Sequence, residues 1–527
     1  MKSRFFCWFA FSLLFVSSVT ADVRLPKIFG NHMVLQQGQP LPVWGWADPG
    51  KSVTVSFAGQ EKSVTADEAG SWKLSLDALE ASAEGRDFVV TGSNTITLAD
   101  VLVGEVWVCS GQSNMAWSVR QAAQPGEEAK AAKFPLIRHI KIPNVAQPFP
   151  VDDVNANWQV CSPETVSNFT AVGYFFGREL HQQLDVPIGL VNSSWGGTRI
   201  EPWTPPVGFE MIKKDEGADF ATGILKTIEA RDPTSETGRQ QFSAVIERAK
   251  AWVADAEQKL ESGDYPPTPP NFSVFQGNAG QPTHLYNGLV HPLVPYGIKG
   301  AIWYQGESNG SEGESYFHKK RALIGGWRSV WEQGEFPFYH VQLANFRPDQ
   351  KQPGSGDGYA RIRDAQKQSL AIPNTGMAVI IDIGEANDIH PKNKQDVGKR
   401  LAQWALAKDY GKDIVPSGPL YANYTVEGNE VTIQFDHPGS GLIVGKKAGL
   451  DPVKEVKDGK LERFAIAGED KKFHWADAVI DGDRVVVSCP EVPNPVAVRY
   501  AFSGNPEGAN LYNREGLPAS PFRTDDW

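Results

Sequence analysis

Cysteine is scarce in this chain, and its spacing suits neither a disulfide framework nor a zinc site. Only four cysteines occur among 527 residues. Cys7 lies near the N-terminus, and Cys109, Cys161 and Cys489 are far apart, without a C-x-x-C pair. At most one disulfide can form among the last three, so the sequence excludes a small disulfide-stapled fold and a cysteine-based metal centre.

Basic tracts are also absent. The formal net charge is -11, from 51 Lys and Arg against 62 Asp and Glu. Without a cluster of basic residues, we do not expect the chain to bind nucleic acid or an anionic membrane surface. The content of 41% hydrophobic and 21% charged residues is that of an ordinary globular protein, and the length predicts about three domains.

The apolar segment at the N-terminus is too short to cross a bilayer. It runs from Phe5 to Val16, after Lys2 and Arg4 and before small residues that end at Ala21. This order is typical of a secretory signal peptide cut after Ala21. We therefore expect residues 1–21 to be removed and the mature protein to be secreted or periplasmic.

The rest of the chain divides into three regions. Residues 22–103 and 411–527 alternate apolar and polar residues between turn signals, which predicts an N-terminal β-sandwich-like module and a C-terminal β-rich module. Residues 104–410 alternate strand-like and helix-like stretches. An insertion at about 205–283 interrupts them, either as a helical pair leaning over the site or as a solvated spacer.

Residues 104–410 are predicted to form an α/β core with a mostly parallel, five-stranded sheet. The alternation of strands and helices favours a parallel sheet with helices on both faces. The apolar runs are Val106–Cys109, Ile188–Val191, Ile298–Trp303, Phe338–Leu343 and Met377–Ile383. The helix-like stretches are Val166–Leu184, Tyr316–Glu332, Ala360–Leu370 and Lys394–Lys408. Ligands bind such sheets outside the carboxyl ends of the strands, where four of these five runs lead into polar loops.

The stretch Gly104–Trp117 carries the candidate nucleophile. Its apolar run stops at a turn of small polar residues, which leaves Ser113 at the end of a strand. The complete G-x-S-x-G elbow is absent, so a strand followed by an ordinary polar turn explains this stretch equally well on its own. Because serine is a weak nucleophile at its own pKa, a base must lie nearby.

His390 is the best-placed base among ten histidines. It lies in the loop after the last predicted strand, two residues after Asp388. That carboxylate could hold the imidazole at Nδ1 and leave Nε2 facing Ser113. His284 and His291, which precede the third strand, are the alternatives.

Acyl transfer also needs hydrogen-bond donors for the developing oxyanion. The candidates are the backbone N–H of Ser113, the N–H of Gly196 or Gly197, and the side-chain amide of Gln305 at the end of the third strand. Glycine suits this role because it lets the backbone approach a ligand closely. For Gln305 the alternative is hydrogen bonding within the strand end.

Four blocks of sequence resemble the SGNH-hydrolase superfamily, specifically its bacterial sialate O-acetylesterase-like family. They are VWVCSGQSNMAW, GLVNSSWGGTRIEPW, LYNGLVHPLVPYGIKGAIWYQGESN and DIGEANDIHPKNKQDVGKRLAQWAL. The resemblance implies a flavodoxin-like α/β/α core and ester hydrolysis without a metal or cofactor. It makes Ser113 the nucleophile, His390 the base and Asp388 its orienter, with Ser113, Gly197 and Gln305 as oxyanion donors.

One position departs from the family pattern. The last block of the superfamily is usually Asp-x-x-His, whereas a single residue separates Asp388 from His390 here. Asp382 or a backbone carbonyl could orient the base instead.

The resemblance also implies the substrate, an O-acetylated sugar and specifically a sialic acid. Arg199 could bind the sialate carboxylate, and a salt bridge to Glu201 or Glu307 is its alternative role. Gln112, Trp195 and Glu307 complete the predicted substrate-binding set. Further aromatic residues that could stack on sugar rings are Trp203, Trp303 and Tyr304, with core packing as the alternative for Trp303.

Two other functions stay open. An acetylxylan esterase or other polysaccharide acetylesterase could use the same core. A carbohydrate-binding protein without catalysis is the alternative of another class, although the presence of Ser113, Asp388 and His390 favours an enzyme. The sequence does not indicate the oligomeric state.

Overall fold

The computed structural model describes residues 22–527, and the predicted signal peptide lies outside the described residues. Six strands come first: β1 (Val34–Gln36), β2 (Leu41–Trp46), β3 (Ser52–Phe57), β4 (Gln60–Thr65), β5 (Ser71–Leu76) and β6 (Ser82–Thr91). β2 pairs antiparallel with β5, and β3 pairs antiparallel with both β4 and β6. Buried positions alternate with more exposed ones along β2 and β3, as expected for strands with one face on a core.

Strand β7 (Thr95–Gly111) joins this N-terminal region to the central sheet. It is 17 residues long. Its first half pairs with β6 and β1, and its second half forms the middle of the central sheet. From Val101 onward every residue of β7 is buried, so the predicted boundary after residue 103 falls within a continuous, buried strand.

The central sheet has seven strands rather than the five predicted. After β7 come β8 (Ile137–Lys141), β9 (Trp158–Val160), β10 (Ile188–Ser194), β11 (Gly300–Tyr304), β12 (Phe338–Val341) and β13 (Thr375–Ala378). The order across the sheet is β13-β12-β11-β7-β10-β8-β9, and every neighbouring pair is parallel except β8 with β9. The sequence did not predict β8, because its buried residues include Arg138 and His139, which break the apolar run.

Nine α-helices accompany the strands of the described chain. They are α1 (Ser113–Ala116), α2 (Pro125–Ala131), α3 (Ala171–Leu184), α4 (Pro206–Ile212), α5 (Phe220–Glu229), α6 (Glu236–Glu261), α7 (Ser315–Trp331), α8 (Gly358–Gln368) and α9 (Lys394–Lys408). The four predicted helical stretches correspond to α3, α7, α8 and α9. The insertion contains α4, α5 and α6, and α6 is mostly exposed along its 26 residues.

Helices α3 and α9 approach each other closely at Gly398. A Cβ atom at this position would lie 2.6 Å from the Cβ of Phe175, so only glycine permits the contact. The side chain of Asn393 caps α9 by accepting the N–H of Asp396 at 3.0 Å. The helix therefore begins four residues after His390, and this start places Lys394 beneath the loop that carries the histidine.

Residues 411–527 contain eleven strands and no helix in the structure described. They are β14 (Leu420–Glu427), β15 (Glu430–Asp436), β16 (Leu442–Ala448), β17 (Asp451–Glu455), β18 (Phe464–Ala467), β19 (Phe473–Trp475), β20 (Asp477–Asp481), β21 (Arg484–Ser488), β22 (Ala497–Tyr500), β23 (Leu511–Asn513) and β24 (Phe522–Arg523). They form three small sheets around a second apolar core.

Across residues 22–527 no helix combines the length and apolarity that crossing a bilayer requires. The three cysteines in residues 22–527 are buried, and none forms a disulfide: Cys109, Cys161 and Cys489.

Candidate active site

The candidate nucleophile lies directly at the carboxyl end of β7. Gly111 ends the strand with φ +134°, and a Cβ atom there would lie 2.1 Å from the carbonyl oxygen of Tyr304 on β11. Only glycine fits this position. The chain then turns, and Ser113 is the first residue of α1. Its N–H has no acceptor within the helix and is free to serve a ligand.

His390 contacts Ser113 although 277 residues separate them in the sequence. The distance from His390 Nε2 to Ser113 Oγ is 2.9 Å. This is the reach that a general base needs to take the hydroxyl proton. The structure therefore brings together the serine and the histidine that the sequence pattern paired.

Asp388 lies beside the other ring nitrogen of His390 but does not make an ordinary hydrogen bond to it. Its Oδ1 atom is 3.5 Å from His390 Nδ1 and accepts the backbone N–H of His390 at 2.9 Å. With one residue between them, the tight turn directs the carboxylate to the backbone as well as to the ring. The alternative orienter, Asp382, forms a buried two-pronged ion pair with Arg400 at 2.6 and 2.8 Å.

Trp117 supports the imidazole from the side. Its ring stacks on that of His390 with centroids 4.5 Å apart and planes inclined by 10°. The Trp117 indole N–H donates to the carbonyl of Gln121 at 2.9 Å, which anchors the tryptophan in turn. The stack limits rotation of the histidine ring out of line with Ser113.

The environment of His390 favours its neutral, proton-accepting form. Burial and the nearby positive charge of Lys394 lower the pKa of His390 below its ordinary value, and Asp388 opposes them. A base with a lowered pKa stays unprotonated to more acidic pH. The site can thus accept a proton over the whole neutral range.

A buried polar network joins three loops beneath Ser113. Asn114 donates through Nδ2 to Glu307 Oε1 at 2.6 Å and to the carbonyl of Ile389 at 3.0 Å. Its Oδ1 atom accepts from Lys394 Nζ at 2.5 Å. Asn114 therefore connects the nucleophile turn, the loop after β11 and the residue next to His390.

Burial shifts both charged members of this network toward neutrality. It lowers the pKa of Lys394 to about 7 and raises that of Glu307. Glu307 Oε2 is buried and makes no hydrogen bond within the described chain. The carboxyl group of Glu307 thus lies under the nucleophile, and its predicted role in binding substrate does not fit this position.

The Gly-Gly turn after β10 lies next to Ser113. A Cβ atom on Gly196 would be 3.2 Å from the Cβ of Ser113, and Gly197 has φ +73°. Both glycines are exposed, and neither donates its N–H to another residue of the described chain. Either N–H is therefore available to an oxyanion, with Gly196 the closer to the serine.

The predicted oxyanion role of Gln305 does not agree with its hydrogen bonds. This residue is fully buried, and its Nε2 donates to Thr198 O at 3.1 Å and Asn309 Oδ1 at 2.7 Å. Its Oε1 accepts the Tyr316 hydroxyl at 2.7 Å. Both amide hydrogens are used, so Gln305 holds the loops in place, which is the alternative that its strand-end position also suggested.

Gln112 has the free amide that Gln305 lacks. Its Oε1 accepts the backbone N–H groups of Ser308 at 3.2 Å and Gly306 at 3.4 Å. Its NH₂ group donates to no residue in the described part of the chain. The acceptor contacts orient the amide, and Gln112 precedes Ser113 directly.

Among the predicted substrate-binding residues, Arg199 is already paired. Its guanidinium contacts Glu201 at 2.9 Å and also Glu312, and Lys319 shares both carboxylates. A substrate carboxylate would meet two acidic groups here, so the salt-bridge alternative accounts for Arg199.

Of the aromatic residues considered for stacking, only Trp195 is partly exposed. The side chains that are fully buried are those of Trp203, Trp303 and Tyr304. Core packing therefore explains these three, and Trp195, which begins the Gly-Gly turn, is left as the candidate for contact with a sugar ring.

The alternative bases do not reach Ser113. His284 Nδ1 lies 3.1 Å from the N–H of Asn278, and His291 Nδ1 lies 3.0 Å from the carbonyl of Val151. Within residues 22–527, no group of three His, Cys, Asp or Glu side chains is arranged to hold a metal ion.

Sequence reasoning missed three residues of this site: Asn114, Trp117 and Lys394. All three lie inside the blocks that carry the nucleophile or the base. Their proximity to Ser113 and His390 in the chain was the only available signal. An asparagine, a tryptophan and a lysine have no pattern of their own that indicates which contact they make.

Comparisons with known proteins identify the family of the chain. The model of the family "Carbohydrate esterase, sialic acid-specific acetylesterase" matches residues 103–257 and 277–407. The sialate O-acetylesterase of Mus musculus is 30% identical over 98% of this chain and 97% of its own length, and that of Homo sapiens is 30% identical over 95% and 92%.

A solved structure of a carbohydrate acetylesterase has a similar fold. A carbohydrate acetylesterase from Xanthomonas citri is 37% identical, with a TM-score of 0.78 over 96% of this chain and 100% of that one. The family predicted from the four sequence blocks is thus confirmed. The chain belongs to the sialic acid-specific acetylesterase family of carbohydrate esterases, and it is a carboxylic ester hydrolase.

Proposed function

We propose that this protein is a serine esterase that removes O-acetyl groups from sialic acids through an acetyl-enzyme. The observation that carries the proposal is the 2.9 Å contact between Ser113 Oγ and His390 Nε2 at the carboxyl end of β7. Membership of the family supports the acetyl sugar as substrate, and the names of the mammalian relatives support sialate.

The reaction begins with transfer of the Ser113 proton to His390 Nε2 as Oγ attacks the acetyl carbonyl carbon. The oxyanion that forms accepts hydrogen bonds from the N–H of Ser113, the N–H of Gly196 or Gly197, and the Gln112 amide. His390 then gives its proton to the sugar oxygen, which leaves as an alcohol. Water, deprotonated by His390, hydrolyses the acetyl-serine and releases acetate.

The core supports assignment to a flavodoxin-like SGNH fold. Counted in chain order, the five predicted strands lie side by side in the order second, first, third, fourth, fifth, which is the flavodoxin-like order. In this assignment β8 and β9 are additions at one edge of the sheet.

We also propose that the mature protein is exported, because residues 1–21 have the pattern of a signal peptide. N-terminal sequencing of protein recovered outside the cytoplasm tests this, and an intact Met1 would contradict it.

The experiment for the activity measures acetate release from O-acetylated sialic acid and from acetylated xylan, side by side. Ser113→Ala should abolish release from the sialic acid. Ser110→Ala is the matched control, because Ser110 lies in the same segment with a buried hydroxyl that makes no hydrogen bond to any residue between 22 and 527. Release from xylan alone would support the acetylxylan esterase alternative. No Ser113-dependent release from either substrate would favour another ester or a non-catalytic carbohydrate-binding protein.

A further inference from the structure

A cavity lies between the insertion and the segment that precedes β11. Its volume is about 390 Å³, which is in the range of small-molecule sites, about 300–1,000 Å³. Five prolines and the aromatic residues Phe149 and Tyr286 make most of its wall apolar. Neither Ser113, Asp388 nor His390 lines it, so it is not the site described above.

Arg231 is a cation in this wall without an acidic partner. Its Nη1 donates to Gln281 Oε1 at 3.0 Å and lies 3.0 Å from His284 Nε2. Within the described chain no carboxylate forms an ion pair with it, and burial alone lowers its pKa, without an acidic group opposing. A partly buried guanidinium whose side-chain contacts are both neutral favours an anion beside it.

The contact with His284 cannot satisfy Arg231. Burial, followed by the charge of Arg231, lowers the pKa of His284 to about 4, so the imidazole is neutral. Its Nδ1 atom already faces the N–H of Asn278 at 3.1 Å. A neutral imidazole offers one acceptor nitrogen, so it cannot serve both donors at once.

The nearest acidic group in the wall is engaged elsewhere. Asp232 accepts the backbone N–H of Thr234 at 2.8 Å and its hydroxyl at 2.7 Å. These bonds hold the carboxylate in the turn after α5. The five N–H donors of Arg231 therefore have one firm acceptor, the amide oxygen of Gln281.

We propose that this cavity binds a sugar acid, with the ligand carboxylate on Arg231 and the ring against Tyr286 and Phe149. A single arginine matches one carboxylate in a two-pronged contact, and the apolar wall suits the less polar face of a sugar ring. The ligand is expected to be an anion because Arg231 has no ion-pair partner within the described chain. The choice of a sugar acid rests on the proposed function, which makes N-acetylneuraminic acid the probe.

The test is calorimetric titration of the full mature chain carrying Ser113→Ala with N-acetylneuraminic acid and, separately, with its methyl ester. We expect the acid to bind and the ester, which lacks the charge, to bind at least about tenfold more weakly. Adding Arg231→Gln should weaken binding of the acid by about 10- to 100-fold and leave the ester unaffected. Arg248→Gln, an exposed arginine of α6, is the control and should change neither.

A second variant keeps the test decisive if Arg231→Gln does not fold. Thr227 is an exposed residue of α5 in the cavity wall, and Thr227→Trp would fill the cavity while leaving Arg231 in place. Because it fills the cavity, Thr227→Trp should abolish binding of the acid. Equal affinity of the acid for the Arg231 or Thr227 variant, equal affinity for acid and ester, or no binding at all would overturn the proposal. These ligands carry no acetyl ester, so the result does not depend on whether Ser113 releases acetate.

Discussion

The indole of Trp117 lies flat against the imidazole of His390, with the two ring planes within 10° of each other and the centroids 4.5 Å apart. Trp117→Ala removes this support and lets the base rotate away from Ser113. Since an aromatic pair contributes about 0.5–1.5 kcal/mol, we expect kcat to fall by up to about tenfold. Trp117→Phe keeps a flat ring and should recover most of the rate. Steady-state kinetics would count against the role if Trp117→Ala left kcat unchanged.

Asp388 and Asp382 should respond to substitution in different ways. Asp388→Ala removes the carboxylate beside His390 Nδ1, and since that contact is long, we expect kcat/KM to fall by only about 10- to 100-fold. Asp382→Ala leaves Arg400 buried without its partner and should lower the free energy of unfolding by about 3–5 kcal/mol. Kinetics together with thermal unfolding separate the two effects. A large kinetic loss in a stable Asp382 variant would mean that the orienter has been misassigned.

The acidic side of the pH profile should report the pKa of His390. Catalysis needs neutral His390, so kcat/KM should fall as pH drops through its pKa, which burial and Lys394 hold below 6.5. Lys394→Met removes the positive charge, so the pKa of His390 should rise and the acidic limb should move to higher pH. Lys399→Met, an exposed lysine of the same helix, is the control and should not move it. A limb that stays in place or moves to lower pH in Lys394→Met would contradict the electrostatic role.

The two glutamines near Ser113, Gln112 and Gln305, should affect catalysis and stability to different degrees when each is substituted. Gln112→Ala removes a free amide next to the nucleophile, and we expect kcat to drop by about 10²–10³-fold. It also removes the acceptor of the Gly306 and Ser308 N–H groups, so a loss of stability accompanies the loss of rate. Gln305→Ala removes the buried side-chain hydrogen bonds to Thr198 O, Asn309 Oδ1 and the Tyr316 hydroxyl, so it should cost about 1–3 kcal/mol of unfolding free energy. For both variants, acetate release measures the change in kcat, and chemical denaturation measures the change in the free energy of unfolding. The reverse result would restore Gln305 as the oxyanion donor.

Sequence patterns identified the parts of the site that depend on where strands end. Ser113 and His390 follow apolar runs, and the carboxyl ends of neighbouring parallel strands must meet at one edge of the sheet. Strands β7 and β13 are separated by β12 and β11, so the topology places both residues at the same edge of the sheet, and the loop after β13 carries His390 the rest of the way to Ser113. The four main helices were equally clear, because each shows apolar spacing over ten or more residues.

What could not be predicted is how polar side chains divide their hydrogen bonds. Gln112 and Gln305 both lie at strand ends, and only the positions of Thr198, Asn309 and Tyr316 show which amide is occupied. Strand β8 was missed for a related reason, since Arg138 is buried by its ion pair with Asp100 rather than by apolar character.

Strand β7 has a consequence for how this enzyme can be divided. The strand that ends at the nucleophile begins as a strand of the N-terminal sheet, so one rigid backbone belongs to both. Cutting the gene between residues 103 and 104 would split β7 inside its buried stretch and separate the half paired with β6 and β1 from the half paired with β10 and β11. The N-terminal region is therefore part of the catalytic folding unit, and any exchange of modules between relatives has to carry β1 to β7 together.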